Sequence, residues 1–335
     1  MRRLGSLACI LALAACGGGG GTSRGATAAA LPAVTTGGGA STARTCKSTA
    51  VSSFEAYIAY VDHIDVYPST ATGDQCPVRT ISAITPANVR GIAIAGNTIY
   101  ALEESAPNAS FSPVLEIDAS TNGPAVPSGE TIVRNDGSGG IVYVGPIPAF
   151  FETGHDATTN GVVQSFPPTG GANGSPQQNR FFTGGGGPIA AGPDGTVYAG
   201  VGAGVNVYAP TAVDSGPEGS PGFTPAAPER VIGDTSSANV AQAIALGPDG
   251  TLFVASAPSS SPTASTIAVY PPNASTPSYT ISTPTIASLA VDASGNLYVL
   301  HLHLLDTYAP GATTPMNSLI VTPPNSGPSS LVLGP

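Results

Sequence analysis

The stretch GPDGTVYAG, residues 192–200, reappears as GPDGTLFVA at 247–255 and, with drift, as DASGNLYVL at 292–300. Each copy follows a short apolar segment (PIAA, AIAL or SLAV) and opens a β-rich one. Pro193 suits the second position of a type I turn and Asp194 the third, and Gly195 suits the left-handed position that a bulged hairpin requires. The phrase therefore predicts a hairpin joining a first strand to a second, and its role is geometric.

Working outward, a third strand ends on an aromatic beside proline: Tyr67-Pro68, Phe166-Pro167, Tyr208-Ala209-Pro210, Tyr270-Pro271 and Tyr308-Ala309-Pro310. Proline cannot donate to a ladder and closes the strand. A fourth strand carries arginine in RTIS at 79, RFFTG at 180 and RVIG at 230, with TIVRN at 131 as a shifted variant. Charge on an outermost strand discourages edge-to-edge pairing. Four short strands in a recurring unit of about 40 to 55 residues predict propeller blades, because one such sheet buries its faces only by stacking on neighbours.

First strands are expected at Gly91 to Ala95, Gly140 to Val144, Pro188 to Ala191, Ala243 to Leu246 and Ser288 to Val291. A further blade is split. Residues 56–82 supply a second, third and fourth strand with no first, and the C-terminal SSLVLGP is a first strand with nothing after it. The expected fold class is all-β: a six-bladed β-propeller of four-stranded antiparallel blades, its ring closed by the C-terminal strand joining the N-terminal blade. It occupies residues 54–335 and has essentially no helix.

The N-terminus reads differently. Arg2 and Arg3 precede an apolar run from Leu4 to Ala15, too short to span a bilayer and typical of a secretory signal. Leu13-Ala14-Ala15-Cys16 resembles the bacterial lipobox. The resemblance implies cleavage after residue 15 and a lipid on Cys16. Gly17 after that cysteine points to sorting to the outer membrane. The expectation is thus a lipid-anchored protein of the bacterial cell envelope, with a signal peptide over 1–15. Residues 16–53 offer almost nothing to bury and read as a Gly/Ala/Ser/Thr-rich tether. Of the four cysteines, Cys9 leaves with the signal and Cys16 carries lipid, so a Cys46–Cys76 disulfide is expected in an oxidising compartment.

Composition narrows the partners. The chain has 335 residues, only 9% charged, with a formal charge of -10 and no tryptophan. Lys47 is its one lysine, and Arg79, Arg90, Arg134, Arg180 and Arg230 are scattered after it, so no basic patch offers itself to nucleic acid. A monomer is expected, with the membrane reached through Cys16 and an unknown protein or small ligand as partner. The scarcity of aromatic platforms counts against sugar binding.

The blade pattern over 54–335 is similar to bacterial NHL-like six-bladed propellers, which share an architecture with gluconolactonase-like enzymes. In those enzymes carboxylates and an asparagine line the central tunnel and hold a divalent ion. The corresponding tunnel-mouth positions here are Arg90, Gly139, Gly187, Gln242, Ala287 and Ser329, and none is a carboxylate. A different set collects on the hairpins joining second to third strands: Asp62 and His63, Glu103 and Glu104, Glu152, His155 and Asp156, and His301 and His303, which include all four histidines. Two histidines two apart on a strand point the same way and can chelate, so the arc is a candidate site for a divalent metal or a ligand. Against this, leucines alternate with those histidines, and exposed hairpins are ordinarily polar.

No cofactor is assured, and a divalent metal is the one implied. No nucleophile elbow, HExxH helix or phosphate loop occurs. The expected function is a membrane-tethered, non-catalytic binding propeller. A metal-dependent, lactonase-like hydrolase or lyase and a purely structural envelope module are the alternatives.

Overall fold

Three hairpin turns of the repeated phrase set the geometry from which the sheets grow. The backbone N–H of Gly195 donates to the carbonyl of Gly192 at 2.9 Å, and Gly250 to Gly247 and Gly295 to Asp292 do the same at 3.0 Å. These glycines have φ of +88°, +86° and +83°, a region closed to most side chains. Asp194 and Asp249 each bond the backbone and hydroxyl of the threonine two residues on, which fixes the turn before the second strand begins.

The computed structural model describes residues 54–82, 84, 89–103, 111–134, 142–143, 150–154, 162–166, 180–183, 187–213, 224, 226–235, 239–259, 263–321 and 327–335. Two compact units divide the chain, Met1–Arg44 and Thr45–Pro335. The signal peptide and the whole tether, with Cys16 and Cys46, lie outside the described residues. Among the described residues there is no helix.

The chain runs through β1 (Glu55–Ala59), β2 (Ile64–Pro68) and β3 (Arg79–Ser82), then β4 (Val89–Ala95), β5 (Thr98–Glu103), β6 (Phe111–Asp118), β7 (Gly123–Pro124) and β8 (Gly129–Arg134). It continues through β9 (Val142–Tyr143), β10 (Phe150–Gly154), β11 (Val162–Phe166) and β12 (Arg180–Thr183), then β13 (Ile189–Ala191), β14 (Val197–Val201), β15 (Gly204–Tyr208) and β16 (Arg230–Ile232). The remaining strands are β17 (Asn239–Leu246), β18 (Leu252–Pro258), β19 (Ala264–Tyr270), β20 (Tyr279–Pro284), β21 (Ile286–Val291), β22 (Leu297–His301), β23 (Leu304–Tyr308), β24 (Asn317–Ile320) and β25 (Ser330–Gly334).

Five sheets are four-stranded antiparallel blades: β4-β5-β6-β8, β9-β10-β11-β12, β13-β14-β15-β16, β17-β18-β19-β20 and β21-β22-β23-β24. The expectation of six such blades is corrected here. The strands near the two ends of the described chain form a five-stranded mixed sheet, ordered β25-β1-β2-β3-β7. In it β25 pairs antiparallel with β1, from Glu55↔Gly334 to Ala59↔Ser330, and β7 pairs parallel with β3. The cause of the extra strand is the connection between the third and fourth strands of the next blade. It swings back to lay Gly123 and Pro124 beside Ile81 and Ser82. A smaller version recurs where Gly73, between β2 and β3, bridges in parallel to Leu319 of β24. Both contacts cover an outer edge that would otherwise present unpaired backbone.

Neighbouring sheets meet through their first strands: β4 with β9, β9 with β13, β13 with β17, β17 with β21, β21 with β25 and β25 with β4. Apolar side chains fill the seams. Tyr57, Ile64, Val66, Ile92, Ile99 and Ile117 pack between the mixed sheet and the β4–β8 blade. Ala56, Ile58, Tyr298, Leu300 and Leu305 pack between the mixed sheet and the β21–β24 blade. A fully buried aliphatic side chain contributes about 1.5–3 kcal/mol, so the seams, not the isolated sheets, stabilise the fold.

Arg79 departs from its expected role as an edge charge. Its guanidinium forms a bidentate pair with Glu55 at 2.9 and 2.5 Å, reaches the Tyr57 hydroxyl at 3.1 Å, and donates across the seam to the Ala119 carbonyl at 3.0 Å. β3 is not an edge, because β7 covers it, and the arginine instead ties two sheets together. The Tyr57 hydroxyl also donates to the Pro335 carbonyl at 2.8 Å, which fixes the chain's last residue. Burial and the Glu55 carboxylate push that phenol up to about 12, although Arg79 works against them.

Candidate functional site

β22 is a two-residue alternation with Leu297, Val299 and His301 on one face and Tyr298 and Leu300 on the other. The first face packs against the β17–β20 blade, so His301 points into a seam and is 4% exposed. Its Nδ1 lies 3.1 Å from the Thr285 carbonyl. Its Nε2 lies 3.3 Å from the Thr283 hydroxyl and 3.2 Å from the Asp306 carboxylate. Asp306 also accepts from the Ser318 hydroxyl at 2.5 Å. Burial raises the Asp306 carboxyl, but the His301 and Ser318 hydrogen bonds outweigh it and hold the group below its ordinary value.

His303 does not join His301. The strand ends at His301, Leu302 and His303 form the bend, and His303 is exposed. The structure therefore does not bring the two imidazoles to one face, because a strand's alternation stops where the hairpin turns.

The hairpin of the mixed sheet carries a related cluster. His63 Nδ1 lies 2.7 Å from the Asp62 carboxylate, and its Nε2 lies 3.8 Å from Asp65. Burial opposes the charge on His63, and the flanking Asp65 and Asp62 more than offset it, so its pKa is raised. Tyr60 stacks on the imidazole with ring centroids 4.6 Å apart. Asp65 in turn accepts from the Thr80 hydroxyl at 2.7 Å.

Asp65 and Asp306 occupy matching places, each two residues before the tyrosine that ends a third strand, and each receives a hydroxyl from the fourth strand. Sequence reading missed Asp65, Asp306, Thr80, Thr283, Thr285 and Ser318 as a group. The signal that would have found them is the repeated Asp-x-Tyr at 65–67 and 306–308.

Glu103 takes the place in β5 that His301 takes in β22: TIYALE aligns with NLYVLH. It is 0% exposed, and among the described residues neither carboxylate oxygen has a hydrogen-bond partner. Burial, with Glu130 adding to it, pushes the carboxyl up to about 7. Of the other expected members of the arc, Glu104, His155 and Asp156 lie outside the described residues, as does the Glu152 side chain. Among the described residues no group of three or more His, Cys, Asp or Glu could hold a metal ion. Cys76 is disulfide-bonded, and the other three cysteines lie outside the described residues.

Three of the six positions expected at the tunnel mouth share a feature that the sequence did not reveal. Arg90, Gln242 and Ala287 each sit at a register shift in a first strand: Val89/Gly91, Ala241/Ala243 and Ile286/Ser288. A bulge re-aims a side chain without ending the strand. Gln242 uses this to accept from the Ser265 hydroxyl at 2.5 Å. Ser329 donates to the carbonyls of Val89 at 3.0 Å and Ala59 at 3.3 Å.

Two surface features complete the picture. At the hairpin end of the β21–β24 blade Leu302 is 53%, Ile320 40% and Leu304 36% exposed, and Leu304 pairs with Ile320. On the opposite face a groove of about 470 Å³ runs between the turns of the last two blades, lined by Phe253, Val269, Tyr279, Val291 and Asp249 among others. The Asp249 carboxylate and the Ser278 hydroxyl in it already bond within the turns.

No family model matches the sequence, and no curated protein does. The fold has many structural neighbours. One is a protein of unknown function from Bacteroides caccae, at TM-score 0.54 and 9% identity over 84% of this chain and 98% of that one. Another is the periplasmic gluconolactonase PpgL of Pseudomonas aeruginosa, at TM-score 0.53 and 12% identity over 84% of this chain and 99% of that one. A third is the WD40 β-propeller domain of Doa1, at TM-score 0.53 and 7% identity over 85% and 88%. At such identities the likeness is one of fold, and the chain is a β-propeller.

Proposed function

We propose that the chain is a non-catalytic binding propeller of the bacterial cell envelope, anchored to the outer membrane through lipid on Cys16, with its hairpin face turned to a protein partner. One observation carries this reading. The polar groups that hairpins could have offered to a metal are turned inward at His301 and Asp306, while Leu302, Leu304 and Ile320 at the same blade end stay exposed. Apolar side chains clustered on a loop end suit a protein surface, which removes them from water.

The metal-dependent hydrolase or lyase reading has less support. It draws on the arc of hairpin histidines and carboxylates, and within that arc the His301 imidazole is already engaged by Thr283, Thr285 and Asp306. The distant fold likeness to a gluconolactonase carries no residue across.

The test is photo-crosslinking in the intact envelope from a probe at Leu302 or Leu304, with Val126, 81% exposed in the connection between β7 and β8, as control. A discrete protein adduct from the leucine positions and none from Val126 is the expected result. Equal labelling from the leucines and from Val126, or none from either, leaves the chain a structural module. Mass spectrometry of the mature N-terminus tests the lipid on Cys16.

A further inference from the structure

The seam between the β4–β8 blade and the mixed sheet is bonded at both ends. At one end Arg79 donates to the Ala119 carbonyl. At the other, Val89 donates its N–H to the Val61 carbonyl at 3.0 Å and accepts from the Ser329 hydroxyl at 3.0 Å. Val89 is also the cross-strand partner of Glu103. A carboxyl with no exposure and, among the described residues, no hydrogen-bond partner thus sits beside the residue through which β4, the β1–β2 hairpin and the start of β25 are joined.

Among the described residues, the surroundings of Glu103 hold little that could stabilise a charge. By strand alternation its side chain shares a face with Ile99 and Ala101, against Ala59, Ile64, Val66 and Ile84. Elsewhere in its blade, among the described side chains, Glu130 of β8 repels it, Arg90 of β4 is exposed at its bulge, and Glu116 and Asp118 of β6 pair with Tyr100 and Thr98, which alternate to the opposite face of β5. From the mixed sheet the charged or titratable groups on this side are Tyr57, Glu55 and Arg79, bonded to one another at the far end of the seam. Asp62, His63 and Asp65 belong to the cluster on the sheet's other face.

We propose that Glu103 is a pH-sensitive latch: ionisation of its carboxyl loosens the seam between the β4–β8 blade and the mixed sheet, where strands from both ends of the described chain meet. Below its folded pKa the carboxyl is neutral and tolerates the apolar seam. Above it, the folded protein must bury an uncompensated charge or admit water to it. The sign follows from linkage. The folded pKa, about 7, lies above the ordinary 4.5, so unfolding releases a proton between those values, and stability falls as pH rises through that window and levels off above it.

Hydrogen exchange of the full-length protein at pH 5 and pH 8, corrected for intrinsic rates, tests this in the wild type, Glu103→Gln and Glu103→Met. In the wild type, amides of β4 and β5 should exchange at least about tenfold faster at pH 8 than at pH 5, while those of β22 and β23 change little. Glu103→Gln should abolish the difference, Glu103→Met should do the same should the amide variant fold poorly, and Glu130→Gln should reduce it only slightly. Seam exchange that is independent of pH in the wild type overturns the proposal without recourse to any variant. So does a pH effect that persists in both Glu103 variants or spreads evenly over every sheet.

Discussion

The end of the second strand is occupied by His301 in one blade and by Glu103 in another, and the two residues meet opposite fates. His301 finds a carbonyl, a hydroxyl and a carboxylate around it, and its partner Asp306 finds Ser318. Glu103 finds none among the described residues. The backbone position is the same, so the difference lies in what the third and fourth strands and the preceding blade present to it. A repeat fixes where a side chain points, whereas its neighbours decide whether it holds a seam shut or weakens it.

The comparison can be broken most directly at Asp306. Asp306→Ala should destabilise by about 3 kcal/mol, because it takes the carboxylate away from a buried imidazole and removes the acceptor of the Ser318 hydroxyl. Chemical denaturation would measure this, and a loss under about 1 kcal/mol would mean that the cluster merely decorates the seam. pH sharpens the contrast, since the Asp306 carboxyl is held low where Glu103 is held high. The Asp306 contribution is present above its ordinary value of 3.8 and is lost as pH falls through its lower folded value. The advantage of the wild type over Asp306→Asn should therefore shrink in acid, whereas its disadvantage relative to Glu103→Gln should grow as pH rises from 4.5 to about 7 and stay level above that.

Arg79→Met removes the bidentate pair at the other end of the Glu103 seam and should cost about 2 kcal/mol, read by thermal melting. The smallest effect is expected at a turn. Asp249→Ala loses hydrogen bonds on an exposed hairpin and should cost about 1 kcal/mol or less.

These contrasts also mark what the amino-acid sequence could disclose. The Gly-Pro-Asp-Gly turns were legible because proline, aspartate and a left-handed glycine each have a local reason to be there. The antiparallel order of the four-stranded blades followed from those turns. The parallel pairing of β7 with β3 was not legible, since it joins Gly123 to Ile81 across a long loop with no local signature. The bulges at Arg90, Gln242 and Ala287 were hidden for a related reason, because one inserted residue changes a strand's facing without changing its composition.

The site was read less well than the fold. His301 and His303 looked alike as letters in an alternating run, but the strand stops between them and only the first is buried. Counting inward from Leu297 and Val299 would have placed His301 in the seam. Knowing that Thr283 lies opposite needed the neighbouring blade.

The most direct measurement is the thermal melting of His301→Ala and His303→Ala side by side, with and without added zinc, calcium or manganese. The account predicts that His301→Ala melts several degrees below the wild type, that His303→Ala melts with it, and that metal shifts none of the three. A metal-dependent rise in the wild type that both single variants abolish equally would contradict it, and would restore the two histidines as one chelating site.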